Sequence, residues 1–72
     1  MADYFMGVYY ILEYYADTVE KMVEVTRASE ESVVKGFEML ESEGLVNIIR
    51  GEGKIKRVEV TDKGYELYYA GL

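Results

Sequence analysis

Seventy-two residues with a mass of 8.3 kDa make room for one small domain, half of whose residues are hydrophobic and whose formal net charge is −6. With no cysteine and no histidine, disulfides, thiolate and imidazole catalysis, and Cys- or His-ligated metal sites are excluded, so neither enzyme activity nor a cofactor is expected. A core of this size supplies on the order of 3–5 kcal/mol unless disulfides, a metal or oligomerisation adds to it, and oligomerisation is the one left.

The first predicted element is a helix over residues 3–16, DYFMGVYYILEYYA, with Asp3 as N-cap and Phe5, Val8, Leu12 and Tyr15 at helical spacing. Tyr4, Met6, Tyr9, Tyr10, Ile11 and Tyr14 are apolar or amphipathic too. A helix that is hydrophobic almost all round is normally covered on more than one side. Asp17 and Thr18 open a short second helix in which Val19, Met22 and Val23 fall at i, i+3 and i+4, ending near Val25. Thr26, Arg27 and Ala28 connect it to a third helix. Ser29 caps that helix, and Glu30 and Glu31 occupy its first turn, where acids complement the helix dipole. Val33, Val34, Phe37 and Leu40 mark its buried stripe, and Gly44 closes it after about Glu43.

The period then changes. Leu45 to Arg50 is rich in Val and Ile, Gly51-Glu52-Gly53-Lys54 has turn chemistry, and Ile55, Val58 and Val60 lie in a second β-prone run. Together these predict a hairpin. The second run does not alternate perfectly, which leaves its register open and admits a bulge. Thr61 caps a last helix from Asp62 to about Ala70, with Tyr65, Leu67, Tyr68 and Tyr69 available for packing. No linker, internal repeat or low-complexity segment divides residues 1–72, so one domain is expected.

Helix, helix, turn, helix, hairpin and closing helix is the order of a winged helix-turn-helix: an α+β fold of three helices, a β-hairpin wing and a C-terminal helix. Residues 28–46, ASEESVVKGFEMLESEGLV, resemble the third helix of MarR-like and related archaeal winged-helix regulators. Ser29, Ser32, Val33, Lys35, Leu40, Gly44, Leu45 and Val46 fill the places of that pattern in order. Val60-Thr61-Asp62-Lys63-Gly64 is similar to the LTxKG signature that follows the wing in the same families. The resemblance runs from about Tyr10 to Tyr69. It implies a transcriptional regulator that binds double-stranded DNA as a homodimer, with the third helix in the major groove and the wing on the backbone or minor groove. The same fold also serves as a protein-binding module, as in ESCRT-type and polymerase-associated winged helices, so an acidic adaptor for a protein partner is the alternative.

Charge bears on that choice, because affinity for DNA rests largely on neutralising phosphates. Residues 1–49 hold ten acids against three bases, whereas residues 50–63 hold five bases against three acids. Basic charge is thus concentrated on the expected wing, in Arg50, Lys54, Lys56, Arg57 and Lys63. Such residues respond to the width and potential of a minor groove, although exposed Lys also blunts sheet edges. On and before the third helix, Arg27, Ser32 and Lys35 are the candidate contacts. Glu30 and Glu31 there read as N-terminal helix stabilisation; a glutamate can also accept from cytosine N4.

Five of the eight tyrosines (Tyr4, Tyr9, Tyr10, Tyr14, Tyr15) lie on the first predicted helix and three (Tyr65, Tyr68, Tyr69) on the last. Tyrosine suits interfaces, burying a large ring while keeping a polar tip. The expected dimer interface is accordingly Tyr4, Tyr9, Tyr10, Tyr14, Tyr65, Tyr68 and Tyr69. Gly51-x-Gly53 superficially resembles a phosphate-binding loop, but no helix starts after it and Lys54 is not followed by Ser or Thr. No Lys or Arg precedes Lys21, and no apolar run approaches the roughly 20 residues of a membrane span, so no signal peptide or membrane anchor is expected and a cytoplasmic location is. Many Glu, a single Asn (Asn47) and no Gln resemble hyperthermophile usage.

Overall fold

The structure, a computed structural model, describes the backbone of residues 2–70 and the side chains of residues 6–70. It is a small α+β fold of four helices and one antiparallel hairpin: α1 (Ala2–Tyr14), α2 (Val19–Thr26), α3 (Glu30–Ser42), β1 (Val46–Gly51), β2 (Lys54–Val60) and α4 (Asp62–Ala70). α1 begins at Ala2, so Asp3, expected as its N-cap, lies within the helix; the side chains of Asp3, Tyr4 and Phe5 are outside the described ones.

α1 stops two residues short of the expected end. Tyr15 takes φ 57°, in the left-handed region, and the Ala16 N–H donates back to the Tyr10 carbonyl at 3.3 Å. Ending the helix there changes its inward stripe. Val8 and Ile11 are buried at 0% and 6% exposure and Leu12 packs only partly, whereas Tyr15, expected on that stripe, is 75% exposed beyond the helix. The all-round apolarity has its counterpart in packing, since α1 lies against α2, α3, α4 and β2.

The predicted caps at Ser29 and Thr61 hold, and of the Asp17–Thr18 start signal Thr18 is the cap, because each hydroxyl satisfies an N–H that the first turn leaves unpaired. Thr18 Oγ1 accepts from the Lys21 N–H, Ser29 Oγ from the Ser32 N–H and Thr61 Oγ1 from the Gly64 N–H, each at 3.1 Å. α3 ends in a Schellman turn: Gly44 at φ 77° lets its own N–H reach the Glu41 carbonyl (2.9 Å) and the Leu45 N–H reach that of Leu40 (3.0 Å). α2 ends similarly on Arg27, whose φ is 63° and whose N–H donates to the Val23 carbonyl at 2.7 Å.

The hairpin pairs Val46 with Val60 through Ile49 with Arg57, then slips to Arg50 with Ile55 and Gly51 with Lys54. The extra residue on β2 is Lys56, so the imperfect alternation is a bulge. It lets Val60, Val58 and Ile55 share the core side while Lys56 and Arg57 are both exposed. Glu52 and Gly53, at φ 54° and 74°, form the tight turn.

The core comprises Val8, Ile11, Ala16, Met22, Val33, Phe37, Leu40, Leu45, Val46, Val58 and Tyr68. Tyr68, expected at a dimer interface, is only 8% exposed: its ring centroid lies 6.4 Å from that of Tyr9, and α4 turns it inward against α1. Its area is already used within its own chain.

Three glycines differ in what their missing side chain permits. A Cβ on Gly64 would strike the Leu45 carbonyl oxygen and Val60, and one on Gly7 would come within 2.9 Å of Leu40 Cδ1. On Gly36, in mid-α3, a Cβ would meet nothing within 4 Å. Urea denaturation should therefore show Gly64→Ala destabilising by about 1–3 kcal/mol through overpacking. Gly36→Ala should stabilise by about 0.4–1 kcal/mol through helix propensity and a less flexible unfolded chain.

Candidate nucleic-acid interface

The bases divide into two groups. Arg50, expected as a phosphate contact, shares the side of β1 occupied by Val46 and Ile48 and reaches back over α3. Its two terminal nitrogens donate to the two carboxylate oxygens of Glu41 at 3.0 and 3.1 Å, a fork that holds the hairpin to the helix. Arg57 pairs with Glu59, two residues on along β2, at 2.8 Å. Lys63 donates to the Glu43 carbonyl at 3.0 Å, and Lys21 lies 3.8 Å from Asp17. Among the described residues this leaves Arg27, Lys35, Lys54 and Lys56 exposed with neither an ion pair nor a side-chain hydrogen bond.

These four are spread over the end of α2, α3 and the hairpin. Arg27 stands before α3 at the end of α2, Lys35 is on the exposed face of α3, Lys54 is at the foot of the hairpin turn, and Lys56 is the bulged residue. Between α3, the hairpin and the start of α2 runs a cleft of about 580 Å³. Glu20, Glu30 and Glu38 line it together with Arg50, Lys54 and Lys56, over Val19, Val34 and Ile55. The cleft has mixed charge, so the first turn of α3 is acidic on this side and the hairpin basic. Ser32 is exposed, but its hydroxyl accepts from Ser29 Oγ at 3.0 Å and belongs to the cap as much as to the surface.

A second surface is aromatic. Neighbouring ring centroids from Tyr10 to Tyr14, to Tyr9, to Tyr68, to Tyr69 and to Tyr65 lie 5.2–6.5 Å apart, joining α1 to α4. Tyr14, Tyr65 and Tyr69 are 53%, 42% and 66% exposed, whereas Tyr9 and Tyr10 are half-buried. The hydrogen bond with Tyr14 is the main reason the Tyr9 phenol sits above its ordinary pKa.

The partners of Arg50 and Arg57 are what reading by charge run missed. Strand parity alone would have placed Arg50 on the side facing α3 and put Arg57 and Glu59 on a common side. No group of three or more carboxylates among the described residues is placed to hold a metal ion, and no described helix is long and apolar enough to cross a membrane.

The fork on Arg50 holds the Glu41 carboxyl below its ordinary value of 4.5. A carboxyl lowered in the folded state stabilises above its unfolded pKa and loses that contribution as pH falls through the folded one. In an NMR titration, Glu41 should thus protonate below the ordinary glutamate value. The amide signals of β1 near Arg50 should shift with it, and Arg50→Gln should return Glu41 to the ordinary range.

Compared with protein-family models, curated proteins and solved structures, the chain matches none.

Proposed function

We propose that this chain is a winged-helix regulator that binds double-stranded DNA, with α3 as the major-groove helix and the hairpin as a wing on the backbone or minor groove. The observation that carries the reading is the β2 bulge, which leaves Lys56 and Arg57 exposed one after the other beside Lys54 on the chain's one net-basic segment. Arg27, at the end of α2, and Lys35, on α3, add two further exposed cations. Ser32 and Lys35 face base edges or phosphates, and Arg50 acts first as the tether between wing and helix.

The protein-adaptor reading has an observation of its own. Two of the hairpin's cations are neutralised within the chain, and the first turn of α3 exposes Glu30 and Glu31. The two readings make opposite demands on the same acids. A binder of DNA gains from losing Glu59, because Arg57 is released to the phosphates; an acidic adaptor does not.

Fluorescence anisotropy of a mixed-sequence duplex at several salt concentrations tests this. Affinity should fall as salt rises, with a log–log slope of about −0.9 per neutralised phosphate. Paired Lys54→Glu and Lys56→Glu changes should make that slope shallower by about two, and Glu59→Gln should steepen it by about one. No binding at low salt, or indifference to all three changes, would move the assignment to a protein partner.

We further infer that the molecule works as a homodimer through the aromatic surface of α1 and α4, so that two modest half-sites combine on one duplex. Tyr14, Tyr65 and Tyr69 supply exposed ring area, with Tyr9 and Tyr10 behind them. Sedimentation equilibrium at micromolar concentration should give twice the 8.3 kDa chain mass. Tyr69→Glu, at an exposed position, should return it to a single chain. A wild-type mass of one chain would remove this role from the tyrosines.

A further inference from the structure

The acids of α3 divide by the side of the helix they occupy. Glu30 and Glu38, with Val34, line the cleft under the hairpin, and Glu41 holds Arg50 on that same side. These three carboxylates therefore face the hairpin's own cations. At 3.6 residues per turn, Glu31 and Lys35 fall opposite the buried stripe of Val33, Phe37 and Leu40. Both are exposed, neither lines the cleft, and among the described residues neither makes an ion pair or a side-chain hydrogen bond. Glu31 is thus the acid that the start of α3 turns straight out from the fold.

The helix dipole favours an acid in a first turn without deciding what its carboxylate meets. In a major groove the choice is narrow. A recognition helix meets base edges with its N-terminal residues, which on the outward side of α3 are Glu31, Ser32 and Lys35. Guanine offers N7 and O6 there and thymine offers O4, all acceptors that repel a carboxylate; adenine sets its N7 acceptor beside the N6 amino group. Cytosine alone presents a donor with no acceptor of its own. A carboxylate left opposite an acceptor loses water without gaining a hydrogen bond, so Glu31 penalises the wrong base more than it rewards the right one.

We propose that Glu31 sets the sequence preference of α3 by accepting from N4 of a cytosine, so that the double-stranded DNA this chain selects carries a cytosine at a fixed position under the first turn of the helix. The proposal rests on the nucleic-acid reading of α3 and goes beyond it, since that reading names a duplex but no base. Lys35, one turn on and on the same side, places the opposite charge near Glu31 and offsets the repulsion between its carboxylate and the flanking phosphates. The hairpin cations then supply affinity and Glu31 supplies choice, which is the division between phosphate and base contacts.

The test is selection of bound duplexes from a random-sequence library by the intact chain, followed by anisotropy on a recovered duplex. The selected sequences should share a cytosine, and replacing that base pair should weaken binding about tenfold, the usual cost of one mismatched pair. Glu31→Gln adds an amide donor beside the acceptor, the pattern that suits adenine N6 and N7, and should move the preference at that position from cytosine to adenine while the other positions stay as they were. Glu31→Ala should remove the preference there without creating another. Circular dichroism checks that both variants keep the wild-type helix content, and a purely structural role for Glu31 would change affinity for all sequences alike. The proposal is overturned if the chain binds duplexes without preferring cytosine, or if the wild type and both variants share one preference; salt-dependent binding in either case keeps the nucleic-acid reading. If no duplex is retained even at low salt, the nucleic-acid reading itself fails, and this proposal fails with it.

Discussion

The orientation of the whole molecule depends on the hydrogen bonds around Leu45, where α3 ends and the hairpin begins. The Leu45 N–H closes the Schellman turn on Leu40, and its carbonyl accepts the Thr61 N–H at 2.9 Å, so one residue joins the end of α3 to the start of α4. Thr61 Oγ1 adds a bond to the Gly44 carbonyl at 2.7 Å, and Lys63 one to the Glu43 carbonyl. Gly64 packs so closely on Leu45 that a Cβ there would strike the Leu45 carbonyl oxygen and could enter only if the backbone shifted. The base of the hairpin is thereby clamped between two helices, and both of its strands leave that clamp in a fixed direction.

Two consequences follow from where the clamp points the chain. β1 leaves α3 at once, which brings Arg50 back within reach of Glu41, and the pair fixes the far half of the hairpin against the same helix. α4 is sent across α1, so that Tyr68 enters the core while Tyr65 and Tyr69 remain outside. The charged and the aromatic surfaces thus have one structural origin. The ion pair itself is half-exposed and adds little to stability in water; its effect is directional, since a two-ended fork fixes an angle that a single charge contact leaves free.

Much of this was legible from local chemistry. Ser29, Thr18 and Thr61 cap helices because a hydroxyl before a periodic run satisfies an orphan N–H, and Gly44 ends α3 because only glycine takes φ 77° without strain. The imperfect alternation of Ile55, Val58 and Val60 admitted a bulge, and the pairing of the two strands supplies it. What could not be read locally depends on other elements. The inward side of α1 is chosen by four partners at once, which bury Ile11 and leave Tyr15 in solvent. A tyrosine in the core and a tyrosine on a face are chemically the same, so Tyr68 and Tyr69 are separated only by the docking of α4. Charge runs likewise conceal pairing: Arg50 and Lys54 count equally in a sum, yet one is forked on Glu41 and the other is open to a ligand.

The small core explains why polar contacts carry so much of the architecture. Among the described residues, eleven buried apolar side chains are distributed over the helices, the strands and the connections between them. Burial of this kind is non-directional, and a few side chains per element leave many docking angles nearly equal in energy. Directed bonds remove that degeneracy at each joint. The Val58 N–H donates to the Asp17 carbonyl at 2.8 Å and fastens β2 to the α1–α2 connection, Leu45 and Thr61 fasten the hairpin's base, and Glu41 fastens its shaft. Each of these bonds lies on the hairpin or at its border. Because Val46 and Val58 of the same hairpin are core residues, these bonds and the core together set where Lys54 and Lys56 stand relative to α3: burial holds the hairpin on the helices, and the directed bonds select its angle.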